Sequence, residues 1–236
     1  MQASADFDVS EGTYGWALGS FFIGAAVTSL PLGRLAQRLG PRRQLLIGLT
    51  ATVAIQLTIA LLVSSFGQML AMLALAGVAN SGVQSAVTLA LTQASLPRLG
   101  LAIATKQAAM PGSAMIGGLA VPVVALTLGW RWSYVLGAAM AAAAITQVRS
   151  FVMPAISTPV TTTPEVRAVS AGQSPTPALY GATVVVFLFA FTSGAINAWT
   201  VSSGVDAGLS EGVAGVVISA AAGTGIAVRL LIGSRI

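Results

Sequence analysis

The chain contains no histidine and no cysteine, and none of its six Asp and Glu residues falls inside a long apolar run. General acid–base catalysis, thiol chemistry and protein-ligated metal centres each need such side chains, so the sequence predicts no enzyme, no metal and no cofactor. The polar groups that do lie in apolar stretches suit binding rather than bond-making. Asn80, Gln84 and Thr88 recur every four residues, which places two amides and a hydroxyl on one helix face. Ser193, Asn197 and Thr200, with Trp199 beside them, repeat the arrangement further along. Lys106 and Arg229 each set one positive charge near the end of an apolar stretch, and the run from Gly33 to Arg43 carries Arg34, Arg38, Arg42 and Arg43.

Composition names the elements that must hold these groups. Charged residues make up 7% of the 236 residues, and mean hydropathy is +0.88. Ordinary soluble domains carry about 25% charge, so this chain belongs in lipid. A net charge of +5 does not point to nucleic acid, because the basic residues sit in separate segments and form no continuous stripe. A helix needs about 20 apolar residues to cross a bilayer core about 30 Å thick. Seven runs qualify: Tyr14 to Leu32, Gln44 to Ser64, Gln68 to Leu91, Lys106 to Leu128, Trp132 to Met153, Leu179 to Val201 and Gly212 to Ile232. Runs this long exclude barrel strands, and backbone groups in hydrocarbon must be satisfied within the segment, so the expected class is an all-α membrane protein with seven transmembrane helices.

The segment Gly33, Arg34, Leu35, Ala36, Gln37, Arg38, Leu39, Gly40, Pro41, Arg42, Arg43 is expected as a short loop. A turn this basic stays in the cytosol, and it orients the rest. Every Lys and Arg except Arg131 then lies in, or at a helix end facing, the cytosol, whereas Asp6, Asp8, Glu11, Asp206 and Glu211 fall outside. The amino terminus is expected outside and the carboxyl terminus in the cytosol.

Pro154 to Pro177 holds five prolines among Thr, Ser and Ala and reads as an extended cytosolic linker. It divides the chain into a bundle at 1–153, the linker at 154–178 and a further unit at 179–236. Asp6, Ser10, Glu11, Gly12, Gly15 and Gly33 recur as Asp206, Ser210, Glu211, Gly212, Gly215 and Gly233, at a constant offset of 200. Both copies place Ser-Glu-Gly at a helix entry, where Ser caps free N–H groups and Glu suits the positive end of the helix dipole. A unit of six helices is even, so both copies share one topology and form parallel repeats.

These residues resemble the major facilitator superfamily. Gly33, Arg38, Gly40, Arg42 and Arg43 match its Gly-x-x-x-Asp-Arg-x-Gly-Arg-Arg turn between family helices two and three, with Gln37 at the Asp position, and Gly129-Trp130-Arg131-Trp132 is similar to its outer turn between helices five and six. The resemblance implies a 12-helix fold of two six-helix halves joined by a cytosolic linker, of which this chain covers helices two to eight and lacks the first and the last four. It implies a secondary permease of a small solute in the plasma membrane, working by alternating access. It makes Gly33, Arg34, Gln37, Arg38, Gly40, Arg42 and Arg43 a cytosolic gating loop, although Gln37 cannot supply the carboxylate that helps tie the family's halves together. It also makes the third and sixth spans cavity-lining, with Asn80, Gln84, Asn197 and Trp199 as candidates beside Arg229, which would attract an anionic substrate.

Two readings compete at each of these positions. The amides either line a cavity or bridge packed helices, and Lys106 and Arg229 either face a solute or snorkel to headgroups. Pro111, Gly112, Gly117, Gly118 and Pro122 are expected to bend the fourth span and let neighbours approach. Coupling to a proton or other ion stays open, since no Asp, Glu or His lies within the seven spans. A seven-helix receptor and an inactive truncated reading frame are the alternatives to a carrier. The topology is checked by single cysteines at Ala3, Ser95, Ser170 and Ser203 in this cysteine-free chain: Ala3→Cys and Ser203→Cys should react with an impermeant maleimide on intact cells, and Ser95→Cys and Ser170→Cys only after permeabilisation.

Overall fold

The computed structural model describes residues 5–94, 99–150, 185, 200 and 203–233. The expected linker at 154–178, almost all of the span Leu179 to Val201, and Asn197 and Trp199 lie outside the described residues. Within them the chain is helical, with no strand. The long helices are α1 (Glu11–Leu39), α2 (Pro41–Leu62), α3 (Phe66–Gln93), α4 (Leu99–Ala120), α5 (Trp130–Ser150) and α6 (Glu211–Gly233). A π-helical stretch, Val121–Ala125, extends α4 to a last turn at Leu126–Leu128. Five helices among the described residues are long and apolar enough to cross a membrane; α5 is the more polar exception.

The expected loop from Gly33 to Arg43 is a correction. Helix α1 continues through Gly33, Arg34, Gln37 and Arg38 to Leu39, and Pro41 already opens α2. Only Gly40 breaks the helix, at φ +81°, where its N–H is 2.9 Å from the Ala36 carbonyl. Glycine alone adopts that conformation cheaply, and proline suits the first helical position because its missing N–H would be unpaired there. A 29-residue helix is about 43 Å long, longer than a hydrocarbon core of about 30 Å by enough for its basic last turns to reach water without leaving the helix.

The offset-200 repeat is visible in the backbone. Residues 5–10 and 205–210 run through the same helix, turn and extended cap before α1 and α6 begin. Asp8 and Gly208, equivalent by the offset, both have positive φ, at 51° and 93°. Ser10 Oγ accepts from Thr13 N at 3.2 Å, and Ser210 Oγ accepts from Val213 N at 3.3 Å.

Packing rests on small residues. Helices α1 and α3 run parallel and touch where a Cβ on Gly24 would strike the Ala74 carbonyl and one on Gly77 would strike the Phe21 carbonyl. Helices α2 and α5 run antiparallel, with Gln56 filling the notch left by Gly137. Helices α4 and α6 are also antiparallel, from Pro122 beside Gly212 to Ala104 beside Gly233. Between these ends a Cβ on Gly118 would meet the Gly215 carbonyl at 2.5 Å, and one on Gly215 would meet the Gly118 carbonyl at 2.6 Å. Gly118 thus behaves as the sequence predicts, whereas Gly117 faces nothing within 4 Å. The π-helical stretch coincides with Pro122, whose missing N–H interrupts the regular ladder.

Overpacking should therefore be selective. Gly77→Val and Gly24→Val are expected to lower stability by about 1–3 kcal/mol in detergent denaturation, while Gly67→Ala, with nothing within 4 Å of the new methyl, should leave the midpoint unchanged or slightly raised.

Candidate functional site

Asn80 stands near the middle of α3, with Gln84 and Thr88 one and two turns beyond it. In this half of α3 the opposite face carries buried Ala79 and Gly82, which pack against α1 and α2: Gly48 approaches the Ala79 carbonyl, and Leu32 lies 3.8 Å from a Cβ on Gly82. Gly77, one turn before Asn80 on the same face, packs on the Phe21 carbonyl of α1, so the row starts half-buried beside that contact and becomes exposed only at Thr88. The amide side chains of Asn80 and Gln84 have no hydrogen-bond partner among the described residues, so no helix-bridging contact accounts for them there. Thr88 Oγ1 donates to the Gln84 carbonyl at 2.8 Å, which satisfies its proton within the helix.

Helix α4 meets the end of this row at Thr88. It begins seven residues before Lys106 rather than at it, so Lys106 stands about 10 Å inside the helix. Its Nζ donates to Thr88 Oγ1 at 2.6 Å. The structure thus joins Lys106 to Thr88, two turns along α3 from Asn80. It does not join Arg229, whose exposed guanidinium folds back to the Gly225 carbonyl of its own helix at 3.1 Å.

At the basic end Arg34, Gln37, Arg38, Arg42 and Arg43 are exposed. Arg42 Nη2 donates to the Arg149 carbonyl at 3.2 Å, tying the start of α2 to the end of α5. Beneath them lies a residue that the sequence marked only as the edge of a span. Gln44 is 3% exposed, and its Nε2 donates to the Leu32 carbonyl at 2.9 Å and the Gly82 carbonyl at 3.0 Å. One amide therefore clamps α1, α2 and α3 together just inside the basic turn. Its position four residues before buried Gly48 on the same face was the available signal. Ser219 escaped notice in the same way; its hydroxyl reaches the Met115 carbonyl of α4 and the Gly215 carbonyl of α6, each at 2.9 Å.

The opposite end is closed by Arg131. Its guanidinium donates to the carbonyls of Ala60 at 3.3 Å and Val63 at 2.8 Å, with Ile59 at 3.5 Å, and it lies 4.8 Å from the centre of the Trp130 ring. A cation here satisfies the orphan carbonyls of α2 and suits the negative end of its dipole. Trp130 Nε1 donates to Asp6 Oδ2 at 2.7 Å and packs in an aromatic group with Phe7 and Tyr134. A cavity of about 300 Å³ lies nearby, lined by Phe21, Gln56, Ile59, Leu73, Ala76, Ser133 and Tyr134, and it contains none of the candidate binding residues. Arg131→Met should lower stability by about 2 kcal/mol in detergent denaturation, and Arg131→Lys should recover only part of it, because an ammonium cannot span the spread carbonyls.

Comparison with curated proteins and with solved structures gave no significant match. The sequence profile described as Major Facilitator Superfamily matches residues 2–235, nearly end to end. Together with the apolar helices and their glycine-mediated contacts, that match places the chain in the Major Facilitator Superfamily, a family of membrane transporters, as an integral multi-pass membrane protein.

Proposed function

We propose that this chain is the helix-two-to-eight portion of a secondary permease that carries a small organic solute across the plasma membrane by alternating access. The observation that carries the reading is the pair of half-buried amides, Asn80 and Gln84, in the middle turns of a membrane helix with no hydrogen-bond partner among the described residues. Polar groups in a span are costly unless they meet a partner, and a solute path supplies one. Residues 1–153 act as the first bundle, 154–178 as the cytosolic linker and 179–236 as the start of the second bundle. Asn197 and Trp199 complete the solute path from that second bundle.

The basic end, with Gly33, Arg34, Gln37, Arg38, Gly40, Arg42 and Arg43, faces the cytosol under this reading, and the amino terminus lies outside. The gate is then a helix end held by Gln44 and Arg42 rather than a pliable loop. Rocking would move α1 and α2 there as one piece. The repeated cap at Ser10 and Ser210 favours a duplicated carrier over a seven-helix receptor. No charged group is offered as a proton carrier, because none of the described spans holds Asp, Glu or His away from its ends.

The test is flux in proteoliposomes against a panel of radiolabelled sugars, amino acids, nucleosides and organic acids. Asn80→Ala and Gln84→Ala should each cut flux of the accepted solute about tenfold, the value of one lost polar contact, with an unchanged denaturation midpoint. Undiminished flux in both variants would overturn their place in the solute path.

A further inference from the structure

Lys106 is the chain's only lysine. It stands about two turns inside α4, and its Nζ is drawn sideways to Thr88 on α3. A lysine that merely snorkels extends along its own helix towards the headgroups; this one is held by a neighbouring helix. Helix α4 with its last turns is about 45 Å long, so Lys106 stands near the edge of a hydrocarbon core of about 30 Å, where an anion is a favourable partner for its ammonium. Among the residues whose side chains are described the carboxylates are Asp6, Asp8, Asp206 and Glu211, all at the far end of the helices, since Glu211 opens α6 while Gly233 at its other end packs on Ala104. No described carboxylate can reach Lys106.

The hydrogen-bond inventory shows what is left over. Thr88 uses its proton on the Gln84 carbonyl and one of its two lone pairs on Lys106, so it holds the ammonium and has no donor left to offer a ligand. Lys106 has three donors and spends one of them on Thr88. One turn along α3, the Gln84 amide adds two more N–H donors on the same helix face. The surplus is one of donors with a positive charge, between two helices that otherwise touch little at this level.

We propose that Lys106 Nζ and the Gln84 amide form an oxyanion site between α3 and α4, taking a carboxylate or a phosphate group, with Thr88 as the positioning residue that aims the ammonium. The oxyanion can come from a soluble organic acid or phosphate, or from a lipid headgroup. Taking it as the transported solute rests on the carrier reading above.

The test uses the lone lysine as its own reporter. The full chain in phosphate-free dodecyl maltoside micelles is acylated by an amine-reactive ester, and Lys106 modification is followed by peptide mass spectrometry with the Met1 amine as internal reference. Succinate or inorganic phosphate should slow Lys106 acylation about tenfold relative to Met1, the effect of one charge-assisted contact, and neutral succinamide should not. Protection that appears only when phosphatidylglycerol is added to the micelles supports the oxyanion site and assigns it to the headgroup. Equal rates under all conditions overturn the site. Thr88→Val should weaken protection while leaving Lys106 present to report; full protection in that variant overturns the role of Thr88. Protection without flux of any solute sinks the carrier and keeps the site, and flux of a neutral solute without protection does the reverse.

Discussion

Helix backbones in lipid gain nothing from hiding apolar surface against one another, so their association depends on how closely they can approach. Here that approach is set by a few glycines. Gly24 and Gly77 seat α1 on α3 and Gly118 with Gly215 seats α6 on α4, each facing a partner's backbone where no Cβ would fit, while Gly137 of α5 leaves the space that the Gln56 side chain of α2 fills. Large apolar side chains do the opposite work. Trp16, Phe22, Val27 and Leu30 of α1 stay exposed, as a surface meant for hydrocarbon would.

Close approach creates the second feature of the molecule, a sparing use of polar contacts between helices. Gln44 reaches two carbonyls on two helices, Ser219 reaches one on α4, and Arg131 caps α2 from α5. Each sits beside a glycine contact or a helix end, where the backbone is near enough to be reached or left unpaired. Most hydroxyls in the spans are otherwise spent on the carbonyl one turn earlier, as Thr28, Thr52 and Thr58 show. The Asn80 and Gln84 amides and the Lys106 ammonium stand out against this economy.

That contrast joins packing to function. A carrier must keep polar groups inside the membrane that no neighbouring helix consumes, and it must hold them on elements rigid enough to move as bodies. Under the proposed reading helix α3 would serve both needs, because Gly77, Ala79 and Gly82 hold it against α1 and α2 while Asn80, Gln84 and Thr88 keep polar groups along its length. The clamp at Gln44 makes the basic end part of the same rigid piece.

The membrane class, five of the apolar spans that fall within the described residues, the repeat with its two serine caps, and the face shared by Asn80, Gln84 and Thr88 are legible in the sequence alone. These are local properties: span length, helical period and capping chemistry are written in adjacent residues. The segment Gly33 to Arg43 is helical where a loop is expected because a basic run signals water, not loss of helix, and α1 is long enough to carry that run past the hydrocarbon. Tertiary structure alone decided that Lys106 meets Thr88 while Arg229 turns back on its own helix, and that Gln44 and Arg131 serve as clamp and cap. Those outcomes depend on the register and crossing of helices distant in the chain, which no single helix's period encodes.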